Sequence, residues 1–267
     1  MEQVIFYLLF FAIGTVFGSF FTLAVYRIPL HQDITHKHSY CPKCNHKLSF
    51  WDMIPIFSYI CLGGKCRYCK EKIRVRYLFL EVLTGIVFLL FAMSLNIDFN
   101  TIDINKVIYL VFGLLFIAGL IIIAGIDKER YEIQKSVVLY LTTITFVYMI
   151  YLYTVGLANI YRYVIYLCLI SLSLILQNEY LRKKQKTYYP LEILELSVIM
   201  GMNTGSETFL LTSILTLLLI AVSSTVHKIK NNKKDKEKNE LKMPIGFYLC
   251  STNIISIIIV NFITFRG

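Results

Sequence analysis

Apolar runs of about twenty residues alternate along this chain with short polar stretches. A run of ~20 apolar residues is the length an α-helix needs to cross a bilayer. The short alternating strands of a membrane barrel are missing, so the backbone must satisfy itself inside helices. The pattern predicts eight spans, at 4–27, 77–96, 106–126, 136–157, 160–177, 190–203, 206–226 and 244–265. The sixth is short and carries Glu192 and Glu195. The first reads as a retained span rather than a cleavable signal. It opens on "MEQ" with no basic start, its apolar run is too long, and no small-residue cleavage site follows before "YRIP". The chain therefore reads as an all-α polytopic membrane protein in three parts. These are a first transmembrane helix at 1–27, a polar insertion at 28–76 and a seven-helix bundle at 77–267.

Composition agrees with that pattern. Hydrophobic residues make up 57% of the chain and the mean hydropathy is +0.63, against ~45–50% apolar for a soluble domain. The net charge of +10 is distributed unevenly. With the 28–76 loop placed inside, 24 of the 27 Lys and Arg fall on inner segments, and only Lys106, Arg162 and Arg266 lie outside. The positive-inside rule then puts that loop in the cytoplasm and both termini outside. The basic balance needs no nucleic acid to explain it. The run "KIKNNKKDKEKNE" reads as a solvated cytoplasmic loop, with attraction to anionic lipid as a lesser reading.

The 28–76 insertion contains Cys41, Cys44, Cys66 and Cys69, as C-x2-C, 21 intervening residues, C-x2-C. Two thiolates on a tight turn grip one side of a tetrahedral zinc ion, and a second pair closes the site. Four sulfurs leave no open coordination position, so the expected Zn²⁺ is structural. Two disulfides are the alternative, disfavoured in a reducing cytosol. Cys61, Cys168 and Cys250 read as ordinary buried thiols. His31, His36, His38 and His46 read as surface residues.

"FGSFFTLAVYRIP" at 17–29, the two cysteine pairs, "WDMIPIFSYI" at 51–60 and "RVRYLFLEVLTG" at 74–85 together resemble the bacterial prepilin peptidases, the type IV leader peptidases. The order of elements agrees: a first span, a four-cysteine module, then Arg76-Tyr77 leading to Glu81 and Gly85. The resemblance implies a multi-pass aspartyl protease of the bacterial plasma membrane, with its catalytic side cytoplasmic. Its substrates would be type IV prepilins or pseudopilins, which lose a short leader. In many members the new terminus is then methylated from S-adenosylmethionine, an activity associated with the cysteine module. The resemblance also implies that the first catalytic aspartate, which opens the loop after the third span, is Asp127 in "GIDKERYEI".

Two carboxylates sharing one proton can hydrolyse a peptide: the ionised one takes a proton from water and the protonated one polarises the carbonyl. Without the resemblance, Asp127 reads as a wet residue at the end of a helix. The second carboxylate departs from the family's G-x-G-D string. Counting back from Gly201 and Gly205 puts Ile193 in the Asp slot, with Glu192 beside it and Glu195 close by. A competing alignment on "MNTGSE" puts Ser206 or Glu207 there, on the outer side by the charge count. Two readings stay open. In the first, Glu192 is the displaced partner of Asp127, with Glu195 a weaker candidate. In the second, the dyad is broken and the chain is a non-proteolytic relative that binds pilin precursors or assembly proteins. "MPIGFYL" at 243–249 resembles the start of the family's last span and is expected to add no chemistry. A transporter is the third and weakest reading, since intramembrane acids occur only in the sixth span.

Overall fold

The computed structural model describes residues 2–34, 38–97, 103–157, 161, 163–165, 167–172, 175, 189–231 and 243–266. Among them the regular secondary structure is helical apart from two isolated β-bridges. The helices are α1 (Glu2–Arg27), α2 (Phe57–Cys61), α3 (Val75–Ser94), α4 (Ile104–Arg130), α5 (Lys135–Thr154), α6 (Tyr189–Thr204), α7 (Ser206–Asn231) and α8 (Ile245–Arg266). Six of them, α1, α3, α4, α5, α7 and α8, are long and apolar enough to cross a membrane, which makes this a multi-pass membrane protein. The sixth expected span appears as α6, a helix of 16 residues. The fifth, at 160–177, is described only in part, as helix over 163–165 and 167–172. His36, nearly all of the expected inner loop at 177–189 and most of that at 227–242 lie outside the described residues.

The chain forms two compact units, 1–114 with 265–267, and 115–264. In the first, α1 packs along α3 through small residues. A Cβ added to Gly14 would stand 2.8 Å from the Gly85 Cα, and one on Gly18 would stand 2.8 Å from the Glu81 Cα. Gly14 and Gly18 are spaced as G-x-x-x-G, which lets two backbones approach closely where lipid supplies no hydrophobic drive.

The 28–76 insertion belongs to the same unit. Buried Arg27, at the end of α1, donates to the backbone carbonyls of Asp33 at 3.0 Å and His38 at 3.3 Å. Farther on, Pro55–Ile56–Phe57 closes a γ-turn, with the Phe57 N–H on the Pro55 carbonyl at 2.6 Å and Ile56 at φ 62, ψ −55. This conformation costs a β-branched residue about 1–3 kcal/mol. Glu81 offsets it: buried in α3, its carboxylate accepts the Ile56 N–H at 2.8 Å.

In the second unit, Gly119 of α4 faces the Leu141 and Tyr140 side chains of α5, and the Tyr140 hydroxyl donates to the Leu115 carbonyl at 3.0 Å. Asn203 of α6 reaches Thr145 of α5 at 3.3 Å. Helices α7 and α8 share a buried polar seam, with Thr216 on Thr252 at 2.7 Å and Asn253 on Thr212 at 3.1 Å.

Candidate active site and metal site

The helix that carries Asp127 does not stop at the onset of charge. Expected to end at 126, α4 runs on to Arg130, with Asp127 in its last turn rather than opening a loop. Lys128 and Arg130 suit that turn, since cations complement a helix C-terminus. The Tyr131 N–H closes the helix on the Asp127 carbonyl at 2.9 Å, with Tyr131 left-handed at φ 57.

The Asp127 side chain is fully buried, at 0% exposure. It faces the first turn of α8, and its Oδ2 accepts the Phe247 backbone N–H at 2.8 Å. The positive end of the α8 dipole lies there too. Gly246 makes the approach feasible, because a Cβ on it would stand 3.1 Å from Oδ2 and 3.5 Å from Ile133 Cδ1. Lys128 spans the Phe247 ring, its Nζ 4.7 Å from the centroid. Cys250, one turn farther along α8 and buried, lies within electrostatic range of Asp127. "MPIGFYL", expected to add no chemistry, supplies a hydrogen-bond donor and the clearance for Asp127. A glycine in the first turn of a helix, two residues after Pro244, was the available signal.

Glu192 sits in the first turn of α6 and is buried, as is Glu195 one turn on. Glu192 lies within charge–charge range of Lys135, Glu195 and Glu132. Glu132 lies in the short link from α4 to α5 and accepts from the Gln134 amide at 3.0 Å, and Lys135 opens α5. Ile133, in that same link, is the residue beside Gly246. Asp127 is thus gathered with Gly246 and Phe247, and Glu192 with Glu195, Glu132 and Lys135, around one inter-helix link. Ile193, in the slot where the family's pattern has Asp, is half-buried. Ser206 and Glu207 lie beyond the opposite end of α6, about 20 Å from Ile193 at the helical rise, and are exposed.

The four cysteines form two copies of one turn. The Asn45 N–H bonds to the Cys41 carbonyl at 2.8 Å, and the Cys41 N–H to the His46 carbonyl at 3.0 Å. Twenty-five positions later the Lys70 N–H bonds to the Cys66 carbonyl at 3.1 Å, and the Cys66 N–H to the Glu71 carbonyl at 2.8 Å. Asn45 at φ 57 and Lys70 at φ 60 are left-handed alike, and the bridges Tyr40–Lys47 and Lys65–Lys72 close both turns. All four Sγ atoms lie within 4.8 Å of one another, with Cys41 and Cys69 3.8 Å apart. A tetrahedron with metal–sulfur bonds of about 2.3 Å has edges of about 3.8 Å, so the group can hold a metal ion.

Charge within the cluster points the same way. Backbone N–H groups of Cys69 and Tyr68 bring the Cys66 thiol down to about 7. Cys69, although the Glu71 N–H bonds to it, is pushed up to about 11 by burial and by its neighbouring sulfurs. Four thiolates need a cation to ionise together. Asp52 braces the second turn through Arg67 at 2.7 Å and closes a capping box with Ser49. Burial raises the Asp52 carboxyl, but the Arg67 and Ser49 hydrogen bonds outweigh it and hold the group below its usual range.

His31, His38 and His46 are exposed as expected. Cys250 is buried, but Cys61 and Cys168 are exposed, which corrects their reading as buried thiols. An apolar sequence environment does not distinguish a core position from a lipid-facing one.

Residues 12–95 match the Bacterial Peptidase A24 N-terminal domain, a stretch that contains the four cysteines and Glu81 and ends before Asp127. Among curated proteins named prepilin leader peptidase/N-methyltransferase, that of Vibrio cholerae is 32% identical over 43% of this chain and 57% of its own length. That of Myxococcus xanthus is 41% identical over 29% of this chain and 23% of its own length, and that of Bacillus subtilis 30% over 49% and 49%. The chain spans about half the length of the curated relatives it matches, or less. No solved structure matches it.

Proposed function

We infer that this chain, whose residues 12–95 match the Bacterial Peptidase A24 N-terminal domain, is a membrane aspartic endopeptidase removing the leader of type IV prepilins or pseudopilins. The observation that carries this reading is the buried Asp127 carboxylate at the end of a spanning helix, with Glu192 and Glu195 gathered about the adjoining link. Asp127 and Glu192 act as the pair. One accepts a proton from the attacking water, and the other, protonated, hydrogen-bonds the scissile carbonyl. Phe247 and Gly246 hold Asp127 in register, and Glu195 is a subsidiary carboxylate. The charge distribution supports a cytoplasmic catalytic face in the bacterial plasma membrane, with lipid as the surrounding medium and no nucleic-acid partner.

Zinc suits the four sulfurs of Cys41, Cys44, Cys66 and Cys69, and would brace the insertion without entering the chemistry. N-methylation of the new terminus would draw on S-adenosylmethionine. A cavity of about 560 Å³ in the first unit is lined by Tyr26 and Tyr77 and by three acidic side chains, Asp52, Glu71 and Glu81, among six Lys and Arg.

Ile193 in the family's Asp slot favours a second reading, a relative that binds pilin precursors without cutting them. Cleavage of a co-purified prepilin by the purified, reconstituted protein distinguishes the two. Release of the leader by wild type and its loss in Asp127→Asn support the peptidase. Binding without release by wild type supports the second reading.

A further inference from the structure

Residues 50–61, "FWDMIPIFSYIC", carry a single charged side chain, Asp52. That charge is turned inward: its side chain is 2% exposed and paired with Arg67. The apolar side chains point the other way. Phe50, Trp51, Phe57 and Ile60 are 65–72% exposed, a density of large apolar groups that water does not tolerate without a partner.

The depth of the segment indicates the partner. Ile56 donates its N–H to Glu81, and Glu81 lies six residues inside α3, about 9 Å along a helix axis. Glu81 also packs on Gly18, nine residues from the end of α1, or about 13 Å. Both helices are long and apolar enough to span a bilayer. The γ-turn at Ile56 therefore hangs within a glutamate's length of a level already inside two spanning helices. At that level α3 itself exposes Phe79, so the medium there is lipid. Exposed Lys65, Lys70 and Lys72 flank the segment in the chain and suit phosphate headgroups.

We propose that residues 50–61 are an in-plane membrane anchor, seating Phe50, Trp51, Phe57 and Ile60 in the acyl–headgroup boundary of the leaflet beside the four-cysteine module. Tryptophan and its aromatic neighbours favour that boundary, where one side of a segment is apolar and the other wet. The anchor fixes the height of the module against the membrane, and the Glu81–Ile56 bond is its tether.

Trp51 is the chain's one tryptophan, so intrinsic fluorescence reads this segment alone. The full chain is reconstituted into vesicles of phosphatidylethanolamine and phosphatidylglycerol, with and without a phospholipid brominated just below the glycerol. The expected result is blue-shifted emission that the brominated lipid quenches and aqueous iodide does not. The double variant Phe57→Ser with Ile60→Ser should lose part of that lipid quenching while keeping its helical circular dichroism. Water-like emission quenched by iodide would overturn the proposal. So would blue-shifted emission insensitive to both quenchers, which would mean that protein, a second copy or a peptide substrate, covers Trp51.

Discussion

Asp127 and Phe247, 120 residues apart in the chain, are joined by a 2.8 Å hydrogen bond from a backbone N–H to a carboxylate oxygen. The bond ties the last turn of one spanning helix to the first turn of another. It depends on Gly246, where a Cβ would crowd the same oxygen at 3.1 Å. Gly246→Ala should shift Asp127 by a few tenths of an ångström. Leader cleavage should fall, by less than the roughly 10²-fold that a 1 Å misplacement at a reacting group costs. The variant's melting temperature in detergent should stay close to wild type. Unchanged cleavage would separate the contact from the chemistry.

The four-cysteine group should carry one zinc per chain by metal analysis, with Cys41→Ser combined with Cys69→Ser abolishing it. Because these residues belong to the insertion, proteolysis within 28–76 should accelerate while the spanning helices keep their circular dichroism. A metal-free wild type, or Cys41 and Cys44 recovered as a disulfide from cells, would contradict the site.

Close approach of α1 and α3 should be sensitive to single methyl groups. Gly18→Ala places its Cβ 2.8 Å from backbone at Glu81, which cannot move as a flexible side chain would. Overpacking of this kind costs about 1–3 kcal/mol. Thermal unfolding in detergent should show the loss. Gly63→Ala, with open space around its Cβ position and φ +58, serves as a comparison in which only backbone strain acts.

The charge distribution predicts orientation. A reporter inserted at 227–242 should read cytoplasmic, and one at 97–104 external. The opposite result would put Asp127 on the wrong side for substrates presented from the cytoplasm.

What the sequence made legible follows from what repeats locally. Spans show as apolar runs, and α6 was expected within one residue of its observed ends. Cysteine pairs show as spacing, and Asp127 as an abrupt onset of charge. Contacts between distant segments left weaker marks. Gly246 meets Asp127 across 119 residues of chain, so "MPIGFYL" reads locally as an ordinary helix start. The γ-turn at Ile56 has no composition of its own, since a β-branched residue at positive φ contradicts local preference and persists through Glu81. Cys168 is exposed rather than buried because lipid-facing and core positions of a span carry the same residue types. The overrun of α4 to Arg130 shows that a helix need not stop where its apolar run does.

The central claim is that Asp127 and Glu192 form the working pair, and the most direct measurement is leader cleavage by carboxylate variants in one reconstituted assay. Asp127→Asn and Glu192→Gln should each abolish release, Glu195→Gln should reduce it less, and Ile193→Asp with Glu192→Gln should restore it. Cleavage that survives Asp127→Asn, or a wild type that never cleaves while Ile193→Asp does, would contradict the pair.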